Sequence, residues 1–144
     1  MFEYIQKHLK EKGQFYKILD VFYEIQLKQK QIISGMQSSH PAGAQLQQQL
    51  EILQKGFEQL VQRVPETIHL SCLSQNSKDV NRYTDCMMKR SKRVDKEMRQ
   101  FDFKMIFMGN QFEKCIQSGD TDKCVESAKI DVQRYINEFQ KNIN

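Results

Sequence analysis

Four cysteines constrain this chain more than any other feature, because they form two pairs that each enclose a helix-breaking stretch. The pairs are Cys72 with Cys86 and Cys115 with Cys124. Inside the second pair, Ser118-Gly119-Asp120 has the residue types of a helix end, a turn and a new N-cap. Inside the first pair, residues 74–77 form the polar break, with Ser77 as the expected N-cap. The spacing predicts two pairs of helices, each crosslinked by a disulfide near its turn.

The oxidation state of these cysteines decides which compartment is expected. Two disulfides require an oxidising compartment, whereas four reduced thiols would suit the core of a cytosolic helical protein. The first residues, MFEYI, have none of the basic, apolar and small-residue segments of a secretory signal. Disulfides without such a signal favour the mitochondrial intermembrane space. We therefore expect the protein there, peripheral to the inner membrane.

The composition favours an all-α fold, since 144 residues include only six glycines and two prolines. The most apolar stretch, residues 101–112, contains Asp102 and Lys104, so no membrane span is expected. The fold class that we predict is a set of cysteine-linked antiparallel helical hairpins joined by a long helix, with an N-terminal helical appendage.

Residues 1–43 are expected to form the appendage and a hinge. Apolar spacing predicts helices over residues 1–12 and 14–36, and the polar stretch 38–43 predicts the hinge. The helical-hairpin domain is then expected over residues 44–144, with hairpin 1 at about 65–90 and hairpin 2 at about 94–142.

The first and last helices of this domain each show one apolar face. In the first, apolar residues alternate at four- and three-residue steps: Leu46, Leu50, Leu53, Phe57, Leu60 and Val64. This helix is predicted to end before Pro65, and Pro65–Thr67 to begin a short arm that carries Cys72. The last helix, from Thr121 to about Asn142, is predicted to pack antiparallel on the Cys115 end of the long helix. Its expected buried face is Val125, Ala128, Val132, Tyr135, Ile136 and Phe139.

The long helix, from about Lys78 to Ser118, carries a seven-residue repeat. The repeat positions are Val80, Met87, Val94, Phe101, Met108 and Cys115, with Thr84, Ser91, Met98, Met105 and Phe112 as companions. A strict seven-residue repeat keeps a narrow stripe of the helix towards a partner helix. We predict that the apolar half of this stripe binds a partner, through Val94, Met98, Phe101, Met105, Met108 and Phe112.

The segments QFEKCIQSGDTDKCVESA (residues 111–128) and QRYINEF resemble the small TIM and twin-cysteine hairpin proteins of the mitochondrial intermembrane space. In that family each helix carries a Cys-x3-Cys motif, and the four cysteines form inner and outer disulfides. The resemblance implies that Cys115 and Cys124 are the inner pair. Gln111 and Ala128 stand where the outer cysteines would be.

The same template can be laid on the first pair of cysteines. It implies that Cys72 and Cys86 form an inner pair, with Ile68 and Arg90 at the vacant outer positions. This symmetry resembles the two-hairpin branch of the superfamily, in which a long helix joins two twin-cysteine units. The resemblance covers roughly residues 65–139, and half of each cysteine signature is absent.

No enzymatic activity, metal site or cofactor is expected. The cysteine separations match no common zinc pattern, and His8, His40 and His69 are scattered along the chain. The sequence has no glycine-rich phosphate loop and no histidine paired with a plausible nucleophile.

The basic run KRSKR at residues 89–93 has two interpretations. We favour a solvated helix face whose charge is balanced by Asp95, Glu97 and Asp102. The alternative is a weak contact with anionic lipid. No nucleic-acid partner is expected, because the formal net charge is only +4 and no aromatic residues lie within the run.

The apolar faces exceed what one chain of 144 residues easily covers, which predicts an interface with other proteins. The residues of these faces include Phe101, Phe103, Ile106, Phe107 and Phe112. Our leading hypothesis is a non-catalytic accessory or assembly subunit of an inner-membrane respiratory-chain complex, bound to other subunits through helix contacts. One alternative is a chaperone of the small TIM type, with a client groove lined by Met87, Met98, Met105 and Met108. Another is a cytosolic coiled-coil scaffold with reduced thiols.

Overall fold

The computed structural model describes residues 41–144, which form three α-helices. Helix α1 spans Pro41–Gln75, α2 spans Val80–Ser118 and α3 spans Thr121–Ile143. No strand occurs among the described residues, and the all-helical prediction is confirmed for them. The two helices expected in the appendage lie outside the described residues. None of α1, α2 and α3 combines the length and apolar content that crossing a membrane requires.

Contacts along α2 fix how α3 lies against it. The Lys104 ammonium approaches Oε2 of Glu138 at 2.6 Å, and Glu97 accepts a hydrogen bond of 3.1 Å from the Asn142 amide. Residue numbers therefore rise along α3 as they fall along α2, and the two helices run in opposite directions.

Helix α1 also runs opposite to α2. The Arg90 guanidinium donates a 2.8 Å hydrogen bond to the Ser71 hydroxyl, while Phe57 stacks on Phe101 farther along. Since α2 opposes both neighbours, α1 and α3 run in the same direction, and each of the three helices contacts the other two.

Pro65 lies inside α1, so the predicted helix end before Pro65 and the separate arm after it are wrong. An interior proline removes one backbone hydrogen bond, at a cost of about 3 kcal/mol. The apolar face of α1 continues through this position, because Val61, Val64 and Ile68 are all buried in the core. This burial outweighs the local cost of the proline.

Helix α1 also begins earlier than expected, since Pro41, Ala42 and Gly43 of the predicted hinge form its first turn.

The inner face of α2 follows the predicted repeat over most of its length, with a difference at its start. Val80 is 45% exposed, and Tyr83 is buried in its place. The predicted N-cap Ser77 is wrong too, because the Asp79 carboxylate accepts hydrogen bonds from the backbone N–H groups of Asn81 and Arg82. Helix α2 thus begins at the exposed Val80 with an aspartate cap, and its buried face begins at Tyr83.

Helix α3 matches its sequence pattern closely. The predicted N-cap Asp120 accepts a 3.0 Å hydrogen bond from the backbone N–H of Asp122. Of the predicted buried face, only Ile136 is partly rather than fully buried. Ile143 extends this face by one more turn and is buried as well.

An aromatic cluster with one ring from each helix lies in the core. Phe57 of α1 stacks on Phe101 of α2, with ring centroids 4.4 Å apart. Phe139 of α3 meets Phe57 edge-on at 5.2 Å. Offset-stacked and edge-on pairs of this kind stabilise a fold beyond the apolar area that they bury.

The two faces of α2 give a matched pair of substitutions. Phe101→Ala should lower the free energy of unfolding by about 3–5 kcal/mol, because it leaves a cavity in the cluster. Phe103→Ala, two residues away on the exposed face, should change it by less than about 0.5 kcal/mol. Urea unfolding of the two oxidised variants measures the difference, and equal losses would show that the core is not packed around Phe101.

Candidate functional site

Two disulfides join the three helices at opposite ends of α2. The bond between Cys72 and Cys86 links the end of α1 to the start of α2, with Cα atoms 5.7 Å apart. The bond between Cys115 and Cys124 links the end of α2 to the start of α3 at the same Cα distance. Both predicted pairings are confirmed, and no cysteine of the chain is left as a free thiol.

The turn at the second disulfide is tight, and this explains its glycine. A Cβ atom on Gly119 would lie 3.2 Å from the Cys115 carbonyl oxygen and 3.9 Å from the Cys124 sulfur. The first of these distances is shorter than an ordinary van der Waals contact. A side chain at this position would therefore press on the Cys115 backbone carbonyl, which would have to shift by a few tenths of an ångström.

A buried hydrogen bond accompanies the first disulfide, and the sequence interpretation missed it. Nδ1 of His69 lies 2.8 Å from the Tyr83 hydroxyl, and the two rings meet edge-on at 5.8 Å. Each residue precedes a cysteine of the disulfide by three positions. Because α1 and α2 run in opposite directions, His69 lies about one turn to one side of the disulfide and Tyr83 about one turn to the other, so their hydrogen bond reaches across the level of the disulfide. The sequence carries no local signal for this pair, because the contact depends on how the two helices align.

Burial changes the proton affinity of both residues in this pair. Loss of contact with water raises the pKa of Tyr83 to about 12, so its hydroxyl keeps its proton. The same loss of hydration lowers the pKa of His69, and the nearby Glu66 carboxylate opposes this only in part. The neutral imidazole can then accept a hydrogen bond from the Tyr83 hydroxyl.

The residues predicted to bind a partner lie inside the chain's own core. They are Val94, Met98, Phe101, Met105, Met108 and Phe112, and none is more than 4% exposed. Helices α1 and α3 of the same chain cover them, so in this conformation their contacts are intramolecular. Met87, the remaining residue of the predicted client groove, is also buried. Direct binding of a partner or client at these positions stays a prediction that requires the helices to separate.

The exposed apolar residues of α2 lie on the opposite side of the helix. Phe103, Ile106 and Phe107 are 71%, 48% and 58% exposed. Their spacing of three and four residues places them next to each other on the helix surface. We call these three residues the outer apolar patch. Phe103, Ile106 and Phe107 were among the residues whose apolar surface predicted an interface.

Basic side chains precede this patch on the same side of α2. Lys89, Lys92, Lys96 and Arg99 are all exposed, and we call them the basic strip. Arg99 forms a 3.1 Å ion pair with Asp95 one turn earlier. The three lysines form no ion pair with any of the described residues.

Within residues 41–144, no three His, Cys, Asp or Glu side chains lie close enough together to hold a metal ion. Comparison with known proteins found no matching family, no matching curated protein and no matching solved structure. The likeness to small TIM and twin-cysteine proteins therefore stays a prediction from the cysteine pattern.

Removing either disulfide should destabilise the protein, because the unfolded chain then gains conformational entropy. The bonds span sequence separations of 14 and 9 residues, and loops of that size contribute about 2.5–3 kcal/mol. We expect Cys115→Ala with Cys124→Ala, and Cys72→Ala with Cys86→Ala, each to lower the free energy of unfolding by that amount. Denaturant unfolding with and without reductant measures the free energy of unfolding. The prediction would be contradicted if reductant left this value unchanged in the wild-type protein.

The His69–Tyr83 pair predicts a pH dependence of stability. Because the folded state lowers the pKa of His69 below its ordinary 6.5, the unfolded chain binds the proton more tightly. The free energy of unfolding should therefore fall as the pH drops from about 7.5 to 5.5. His69→Gln should flatten this dependence, whereas the control His8→Gln with His40→Gln should keep it. A slope that survives His69→Gln would assign the effect to other groups.

Proposed function

We propose that this protein is a non-catalytic accessory or assembly subunit of an inner-membrane complex of the mitochondrial respiratory chain. It works from the intermembrane-space side, through contacts between its helices and other subunits. In this proposal the two disulfide-linked helix pairs act as two hairpins that share α2. Their task is to present fixed helix faces to neighbouring subunits, with no substrate to turn over.

The observation that carries the proposal is the pair of disulfides. Their Cα separations of 5.7 Å lie in the range that native disulfides adopt. Disulfides persist in oxidising compartments and are rare in the cytosol. Two of them in a helical protein of this size support the intermembrane space over a cytosolic scaffold with reduced thiols.

Exposed apolar residues on α1 support the contacts with other subunits. Ile52 and Leu70 are 79% and 56% exposed. They are 18 residues apart, which is five full turns, so they project from the same side of α1. With the core already filled by the chain's own helices, this side of α1 is available to a neighbouring subunit.

Native size and oxidation state together test the proposal. The protein, isolated from its own cells with mild detergent after rapid thiol blocking, should co-migrate stoichiometrically with a large complex. A non-reducing peptide map of the same sample should recover the Cys72–Cys86 and Cys115–Cys124 links. Migration as a small oligomer that exchanges clients would favour the chaperone instead, and four blocked thiols would favour the cytosolic scaffold.

Substitutions on α1 test where the subunit contacts lie. Ile52→Asp with Leu70→Asp should weaken co-migration at least tenfold, since each apolar side chain buried in an interface is worth about 1.5–3 kcal/mol. The control Gln133→Asp with Gln140→Asp adds the same charge at exposed positions of α3 and should leave co-migration unchanged. If the Ile52→Asp, Leu70→Asp variant still co-migrates fully, the contact with other subunits does not lie on this side of α1.

A further inference from the structure

The solvent side of α2 carries one continuous line of side chains that is basic in its first part and apolar in its second. The basic strip occupies positions 89, 92, 96 and 99, and the outer apolar patch continues at 103 and 106, with 107 beside them. These positions alternate steps of three and four residues, which keeps them on one side of a helix. From Lys89 to Phe107 the line is roughly 27 Å long at 1.5 Å per residue.

Among the described residues, Arg99 is the one member of the basic strip that pairs with an acid assigned to the run from the sequence. Asp95 pairs with Arg99, and Glu97 faces α3, where it accepts the hydrogen bond from Asn142. Asp102 is partly buried beside the inner face rather than on the line. Lys89, Lys92 and Lys96 form no ion pair with any of the described residues, which leaves their ammonium groups at the solvent side of α2.

We propose that this outer side of α2, the basic strip together with the outer apolar patch, docks on an anionic phospholipid surface. The lysine and arginine side chains lie against the phosphate groups, and Phe103, Ile106 and Phe107 insert between the headgroups. An amphipathic helix with this arrangement lies in the plane of the membrane surface without crossing the bilayer. The surface differs from the Ile52 and Leu70 side of α1, so the inference stands apart from the proposed function.

The shape of the surface favours a bilayer over an acidic protein. Among the described residues, the line lies on the convex side of a single helix, α2. A planar anionic surface can contact the basic strip and the outer apolar patch at the same time, and it needs no complementary shape to do so. Near such a surface each lysine or arginine strengthens partitioning roughly fivefold, and the apolar side chains add to this by leaving water.

Vesicle binding by the full, oxidised chain tests the proposal. The protein should co-sediment with vesicles of phosphatidylglycerol and phosphatidylcholine in equal parts, and much less with phosphatidylcholine alone. Binding should weaken steeply with added salt, because screening shortens the reach of the charges. No binding to the anionic vesicles at low salt would overturn the proposal. An acidic protein would then be the favoured partner for this surface. Equal binding to the anionic and the phosphatidylcholine vesicles would show that the basic strip does not drive docking.

Matched variants separate this surface from the general charge of the protein. Lys89→Gln, Lys92→Gln and Lys96→Gln together should weaken binding about a hundredfold. The control Lys55→Gln, Lys78→Gln and Lys123→Gln removes the same charge at exposed positions elsewhere and should have a far smaller effect. An equal effect of the two triple variants would overturn the proposal.

A second pair of variants tests the apolar part of the surface. Phe103→Ser with Phe107→Ser should weaken binding at least about tenfold, whereas Ile52→Ser with Ile130→Ser, at exposed apolar positions on α1 and α3, should not. All of these positions are exposed, so the variants should fold, and far-ultraviolet circular dichroism checks that they do. Equal binding of the two double variants would overturn insertion of the patch.

Fluorescence reads out insertion directly, because the chain contains no tryptophan. In Phe107→Trp the indole is the only one present, and its emission should shift to the blue on addition of the anionic vesicles. In the control Ile52→Trp, on α1, the emission should stay unchanged. A shift in both variants, or in neither, would contradict docking through this side of α2.

Discussion

The whole arrangement depends on covalent crosslinks at both ends of α2. Cys86 near its start holds α1, and Cys115 near its end holds α3. These cysteines are 29 positions apart, which corresponds to roughly 43 Å of helix at 1.5 Å per residue. With both ends fixed, neither neighbour can slide along α2 without straining a disulfide. The disulfides therefore set the register in which the apolar faces pack. In this register Phe57, Phe101 and Phe139 form one cluster.

Helix periodicity predicted much of this fold, because each helix has to bury one apolar face. The faces of α2 and α3 and the N-cap at Asp120 could be read from residues within a few turns of each other. The break at Pro65 was wrong because a local rule cannot weigh the burial of Val61, Val64 and Ile68 on both sides of the proline. Tertiary packing decided that position.

The candidate surfaces were harder to predict than the helices. A seven-residue repeat indicates that α2 needs a partner helix, but it does not say whether the partner belongs to the same chain. Here α1 and α3 fill that role, so the apolar stripe is core, and Phe103 and Phe107 are the aromatic residues that stay exposed on the other side of α2. The hydrogen bond between His69 and Tyr83 depends on how two helices align, which local sequence does not specify.

Both disulfides close short loops, and this bears on how the correct pairing is found. The native bonds span 14 and 9 residues. Cys72 with Cys115 and Cys86 with Cys124 would close loops of 43 and 38 residues, and the remaining pairing loops of 52 and 29. Since closure probability falls as the three-halves power of loop length, a structureless chain already prefers the native connectivity by about 40- to 50-fold. Oxidation can therefore select the correct isomer before any helix forms, with little need for reshuffling.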